Sequence, residues 1–231
     1  MVISMKFAEN AVRTYLCLAV PVLLVLVSVR LVMSPLFLQF EYYRFDFPED
    51  IYGFTTDERM EYAKPTLAYL LNDEPIEFLA NLTYTDDDDP IYTTSELEHM
   101  EDVKVVTRYA YLALFYGGVG TLLLSLILAY SPMTRRILKD GLFCGGILTL
   151  TLIGVIIITA VIAWDVFFTT FHEVFFESGT WRFAFSDTLI RLFPERFWFD
   201  AALTIGILTA LGAVIIVALT WNGNPLRRKH I

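Results

Sequence analysis

Four long apolar runs, at residues 15–38, 105–130, 141–164 and 201–221, constrain this chain more than any other feature. At about 1.5 Å of rise per residue, each is long enough as a helix to cross a hydrocarbon core of about 30 Å. With 56% hydrophobic and only 19% charged residues, the chain reads as an all-α membrane protein, a four-transmembrane-helix bundle with a small extracytoplasmic cap. Four spans place both termini on one side of the bilayer. Lys and Arg near span ends stay on the cytoplasmic face. Lys6 and Arg13 precede the first run, Arg135, Arg136 and Lys139 follow the second, and Arg227, Arg228 and Lys229 lie in the tail. The expected organisation is therefore a cytoplasmic N-terminus (1–14), TM1 (15–38), an extracytoplasmic cap (39–104), TM2 (105–130), a cytoplasmic turn (131–140), TM3 (141–164), an aromatic extracytoplasmic loop (165–200), TM4 (201–221) and a cytoplasmic tail (222–231).

The connection over 39–108 carries eighteen Asp and Glu against five Lys and Arg, so the net charge of −9 is lodged on the outer face. That sign argues against nucleic-acid binding and against attraction to anionic headgroups. The Asp86 to Asp89 run reads as solvated surface. The apolar stretch after Lys6 and Arg13 is too long for a cleaved signal peptide and lacks a small-residue cleavage site. Cys17 and Cys144 fall near cytoplasmic span ends, where a structural disulfide is not expected, and read as apolar packing residues. Arg30 reads as a side chain snorkelling to the headgroups. Gly117, Gly118 and Gly120 in the second span, Gly141, Gly145 and Gly146 in the third, and Gly206 and Gly212 in the fourth read as points of close helix approach. With no charge mid-span and no Pro-broken helix pair, transport is disfavoured.

In the cap, Thr55 with Glu58 has capping-box spacing and opens a helix that Pro65 is expected to kink or shorten. Residues 72–94 read as turns around a small hairpin. Ser95 with Glu98 repeats the capping-box spacing, and no Pro or Gly interrupts the run from there to Phe115. His99 then lies about 9 Å outside the apolar boundary at Val105. Glu96, Asp102 and Val103 share its helix face, so a carboxylate is expected to hold one imidazole N–H. His172 lies a similar distance beyond the third run, while the remaining histidine, His230, sits in the tail.

Ten of the thirty residues at 171–200 are Phe or Trp, more than an anchoring belt uses. Two histidines at one depth amid carboxylates and rings suit general acid–base catalysis. No His-x-x-x-His pair supports a catalytic zinc, although a site from His99, His172 and one of Asp102, Asp165, Glu173 or Asp187 stays open. No Gly-x-Ser-x-Gly supports a serine nucleophile, and Ser178 and Ser186 have no distinguishing context.

The segments EYYRFDFPEDIYGFTTDERMEYA (41–63), SELEHMEDVKVV (95–106) and FHEVFFESGTWRFAFSDTLIRLFPERFWFD, with Phe167 four residues ahead of it, resemble the bacterial lipoprotein intramolecular transacylase family along essentially the whole chain. The resemblance implies an enzyme of the bacterial cytoplasmic membrane with its site at the extracytoplasmic face. Its substrate would be a diacylglyceryl lipoprotein held among membrane lipids, and its reaction would move the sn-2 acyl chain to the lipoprotein's own N-terminal amine, leaving a lyso-form product. The positions matching the family's two catalytic histidines are His99 and His172. No cofactor or metal is implied.

Amine and ester belong to one molecule, so the protein's main tasks are confinement and exclusion of water. Candidate chamber aromatics are Phe168, Phe171, Phe175, Phe176, Trp181, Phe197 and Trp198. Candidates for orienting an imidazole or stabilising an oxyanion are Asp102, Lys104, Asp165, Asp187, Arg182, Arg191, Tyr52 and Tyr62. Two other classes remain: a zinc-dependent membrane hydrolase, and a non-catalytic accessory protein that binds lipid or lipoprotein.

Overall fold

The computed structural model describes residues 2–84 and 88–221, with side chains from Lys6 onward. Its helices are α1 (Val2–Val32), α2 (Pro35–Tyr42), α3 (Thr56–Leu71), α4 (Glu77–Ala80), α5 (Thr94–Tyr130), α6 (Pro132–Ile162), α7 (Trp164–Phe175), α8 (Thr188–Leu192) and α9 (Glu195–Thr220). Among the described residues there is no strand, only an isolated bridge between Thr83 and Pro90 where the hairpin was expected. Four helices are long and apolar enough to cross a membrane: Lys6–Val32 of α1, α5, α6 and α9. The protein is a multi-pass, all-helical membrane protein. Asp86, Asp87 and the basic tail with His230 lie outside the described residues.

Helix boundaries follow local chemistry. The first apolar run is divided because Ser34, in extended conformation, accepts the Phe37 N–H and Pro35 opens a new helix. Arg30, exposed at the end of α1, donates to the Met33 carbonyl at 3.3 Å, so a cation meets the negative end of the helix. Ser131 alone separates α5 from α6, and the turn expected over 131–140 is largely the first turns of α6. The Thr55–Glu58 capping box opens α3, and Pro65 sits inside that helix without ending it.

The chain divides into two compact units. One comprises Met1–Ser28, Leu112–Ile158 and Ile205–Ile231. Here α1 and α6 approach closely, because a Cβ on Gly145 would stand 2.6 Å from the Val20 Cβ, a distance only glycine permits. Gly146 plays the same part against Val217 of α9, whereas Gly118 and Gly120 face open space and are not packing points. Tyr15 and Thr121 share a hydroxyl hydrogen bond of 2.9 Å, and Thr209 donates to Ser28 at 3.0 Å, satisfying hydroxyls in an apolar setting. Cys17 and Cys144 are bonded, with Cα atoms 5.2 Å apart, which corrects their reading as packing residues. The glycine-lined contact of α1 with α6 brings two backbones within disulfide reach, a proximity that compartment arguments do not address.

The other unit comprises Val29–Tyr111 and Thr159–Thr204. Its core gathers Tyr42, Met60, Tyr62, Leu67, Tyr69, Leu79, Leu192 and Phe197, all under a tenth exposed. Two buried carboxylates here have partners. Asp50 accepts Arg191 Nε and Nη2 at 3.1 and 2.9 Å and the Phe54 N–H at 2.8 Å. Burial acts to raise the Asp50 carboxyl, but those donors hold it below the usual range. Fully buried Glu41 pairs with Arg44, which also reaches Asp200 at 2.8 Å. Burial, and then the neighbouring Asp200 carboxylate, push Glu41 above the usual carboxyl range.

Candidate active site

His99 is positioned by the start of α5. The cap is Thr93 with Glu96, not Ser95 with Glu98: Glu96 Oε2 accepts the Thr93 N–H at 2.8 Å and its hydroxyl at 2.9 Å, and Thr93 Oγ1 accepts the Glu96 N–H at 3.3 Å. Glu96 is fully buried, and its other oxygen accepts the Leu189 N–H at 2.7 Å. One carboxylate therefore caps α5 and ties down the start of α8. It is not available to His99, whose Nδ1 is buried without a partner. The expectation that Glu96 fixes the imidazole tautomer is thereby corrected, and Asp102 is exposed.

His172 lies on α7, which begins where Ala163 interrupts the helix after α6. The helix is strongly amphipathic, with Phe168, Phe171 and Phe175 along one side, Thr169 and Glu173 along the other, and His172 one turn beyond Phe168 on the flank of the aromatic side. Asp165 in its first turn complements the helix dipole. The His172 Nδ1 lies 2.8 Å from the Phe168 carbonyl. A carbonyl only accepts, so Nδ1 carries the proton and Nε2 presents its lone pair. Burial pushes this imidazole below the ordinary histidine range, and the bond to Phe168 opposes that shift only in part.

Past α7 the chain reverses at Gly179, whose φ of +95° lies in the left-handed region that favours glycine. The return lays the Trp181 indole on the His172 ring, centroids 4.6 Å apart. Phe168 packs on His172 from 4.1 Å. Phe171 and Phe176 stand 5.5 and 5.8 Å from His172. Phe176 also meets His99 edge-on at 4.9 Å, and Phe183 lies 5.5 Å from it. The two imidazole centroids are 6.4 Å apart with an interplanar angle of 26°. Residues from α5, α7 and the 176–187 loop thus bring two imidazoles together among aromatic rings, and burial, and then the neighbouring His172, push His99 down to about 4.

Several anticipated residues are engaged elsewhere. Phe197 packs with Phe193, Phe37 and Tyr42 in the core beside α2, and Trp198, itself exposed, packs on Phe193. Phe175 packs at a tilt against Phe171 and Phe176 and makes no ring contact with either histidine. Lys104 donates to Asn72 Oδ1 at 3.2 Å and to the Glu74 carbonyl, over the Tyr69 ring. Arg191 is bound to Asp50 and lies over the Phe54 ring at 3.6 Å and the Tyr52 ring at 5.7 Å. Tyr62 is buried against Phe54 and Tyr84, while Tyr52 is about half exposed. Asp187 accepts the Ala184 N–H at 2.8 Å, and Asp165 is exposed. Arg182 lies over the Trp181 face at 5.0 Å. Phe183 was not anticipated, although the alternation Trp181, Phe183, Phe185 is the signal of an extended segment presenting alternate rings to one side. Among the described residues, no three His, Cys, Asp or Glu side chains converge as a metal would need.

Fold and site define a polytopic helical membrane protein with a paired-imidazole, aromatic-walled centre. A sequence model of the lipoprotein intramolecular transacylase Lit family matches residues 14–198, and the chain belongs to that family. It is an acyltransferase family, and the chain is an enzyme of that class. An uncharacterized protein from Aquifex aeolicus (strain VF5) is 33% identical over 193 residues, covering 82% of this chain and 84% of the relative. The membrane-integral lipoprotein intramolecular transacylase Lit from Bacillus cereus has the same fold, with a TM-score of 0.74 at 19% identity over 93% of this chain and 94% of that one. A variant of that protein with a histidine replaced by alanine gives a TM-score of 0.61 at 18% identity over 95% and 94% of the two chains.

Proposed function

We propose that this protein transfers the sn-2 acyl chain of a diacylglyceryl-cysteine lipoprotein to that lipoprotein's own α-amine, at the extracytoplasmic face of the cytoplasmic membrane. The observation that carries this reading is the approach of His99 and His172 to 6.4 Å inside an aromatic enclosure, in a chain of the transacylase family. The amine nitrogen adds to the ester carbonyl, the C–N bond forms, and the bond between the carbonyl carbon and the glyceryl oxygen breaks. Nitrogen loses one proton and the glyceryl oxygen gains one, so no water or acyl-enzyme is required.

His172, with Nδ1–H held by the Phe168 carbonyl, receives the amine proton at Nε2. Neutral His99 passes a proton from one ring nitrogen to the departing glyceryl oxygen and accepts at the other the proton that His172 took from the amine, so both imidazoles end neutral. Holding amine and ester in attack geometry supplies up to about 7–11 kcal/mol of the barrier reduction. The rings from Phe168 to Phe183 favour transfer over hydrolysis by excluding hydroxide.

Expression in a bacterium lacking N-acyl lipoproteins, followed by mass spectrometry of lipoprotein N-terminal peptides, tests the reading. Lyso-form peptides are expected. Recovery of diacylglyceryl peptides alone would contradict it.

A further inference from the structure

A tetrahedral intermediate carries a negative oxygen that needs a hydrogen-bond donor, and the cationic and phenolic candidates anticipated for this task are spent elsewhere or stand exposed. Lys104 and Arg191 are tied to Asn72, Glu74 and Asp50, Tyr62 is packed against Phe54 and Tyr84, and Tyr52 is about half exposed. Among the described residues, the buried side-chain nitrogens or oxygens without a partner are Arg13 Nε, Arg59 Nε, His99 Nδ1 and Trp181 Nε1. Only the last two belong to the enclosure. Trp181 is 7% exposed, and its indole packs on His172 at 4.6 Å and edge-on to Phe168 at 6.1 Å.

An indole N–H is a donor only, and burying it unpaired is unfavourable enough that native structures pair such groups or use them. Phe or Leu at this position would fill the space without that cost. We infer that Trp181 is a catalytic residue whose Nε1–H donates to the carbonyl oxygen of the substrate ester and to the oxyanion that develops on it. The inference rests on the acyl-transfer reading above. As nitrogen adds, the C=O π electrons move onto this oxygen, and they return when the C–O bond to glycerol breaks. The donor gives up no proton, and His172 and His99 keep the proton balance. The guanidinium of Arg182, 5.0 Å from the ring centroid, is attracted to the indole π face and favours an electron-poor, strongly donating N–H. A fixed donor in a dry site needs no reorganisation as charge develops.

The test uses purified full-length protein and a synthetic diacylglyceryl-cysteine peptide. Trp181 is replaced by Phe, and in a second protein by 3-benzothienylalanine, which keeps the bicyclic shape and exchanges N–H for sulfur. Removal of one oxyanion donor lowers kcat by about 10²–10³-fold. A fall of that order in both proteins is expected, with KM within a few-fold and unchanged thermal unfolding for the benzothienyl protein. In the wild type, the indole N–H resonance of Trp181, assigned by its absence in Trp181→Phe, should move downfield when a phosphonate analogue of the ester binds. Wild-type kcat in the benzothienyl protein, or an unmoved resonance with the phosphonate bound, overturns the role of Trp181 alone. Absence of N-acyl product from the wild type overturns both this inference and the function on which it rests.

Discussion

The imidazoles of His99 and His172 stand 6.4 Å apart, centroid to centroid, although 73 positions separate them in the chain. The α5 cap holds one ring and the Phe168 carbonyl orients the other. Substitution of the groups that hold the pair should therefore alter activity as directly as substitution of the pair.

Glu96→Ala removes the carboxylate that joins the Thr93 cap to the Leu189 N–H. A buried donor left unpaired costs about 1–3 kcal/mol. Thermal unfolding in detergent should fall accordingly, and transfer should decline at a temperature where the variant is still folded. Wild-type stability would mean that the Leu189 N–H finds another acceptor.

The depressed pKa of His172 has a definite sign in pH dependence. A base that must be neutral is already neutral over most of the physiological range, so the rising limb of kcat/KM should follow the substrate α-amine, near about 8, rather than an ordinary histidine near about 6.5. Stability changes in the same direction. Because the unfolded chain protonates this histidine first as pH falls, its contribution is fully present above about 6.5 and is lost as pH descends toward the native pKa. A second rising limb at or above 6.5 in the profile would contradict this assignment.

Gly145→Ala should destabilise the contact of α1 with α6, because its Cβ would stand 2.6 Å from the Val20 Cβ and 2.9 Å from Val20 Cγ2. Overpacking of this kind costs about 1–3 kcal/mol. Gly154→Ala is the matched control. It meets nothing within 4 Å, so the helix should gain up to about 1 kcal/mol. Unfolding temperatures of the two variants, measured in one detergent, should move in opposite directions.

The Cys17–Cys144 bond closes a loop spanning 127 positions. Thiol labelling of denatured, unreduced protein should find neither cysteine, and labelling after reduction should find both. Cys17→Ser should lower stability by about 2–4 kcal/mol relative to the oxidised protein and match the reduced wild type. Full labelling without reductant would show that the two sulfurs are only neighbours.

The long apolar runs and the Thr55–Glu58 box were legible because hydropathy and capping are local properties. The cap of α5 was displaced by two residues because Thr93 with Glu96 and Ser95 with Glu98 have identical spacing, and only the tertiary bond from Glu96 to Leu189 separates them. His99, His172 and most of the ring wall could be anticipated from composition and depth. The departure of Phe197 into the α2 core and of Trp198 to the surface beside Phe193 could not, since a ring's partner depends on where the chain turns. The disulfide and the unpaired Trp181 indole depend on backbone approach and on burial, and neither is written in local sequence.

Transfer by a paired-imidazole centre is tested most directly with a diacylglyceryl-cysteine peptide deuterated only in its sn-2 acyl chain. Purified wild-type protein should place the deuterated chain on the cysteine nitrogen, with no labelled free fatty acid, and folded His99→Ala and His172→Asn proteins should each leave it on the glycerol oxygen. Nitrogen labelling at the wild-type rate by either variant, or release of the label as fatty acid by the wild type, would contradict the mechanism.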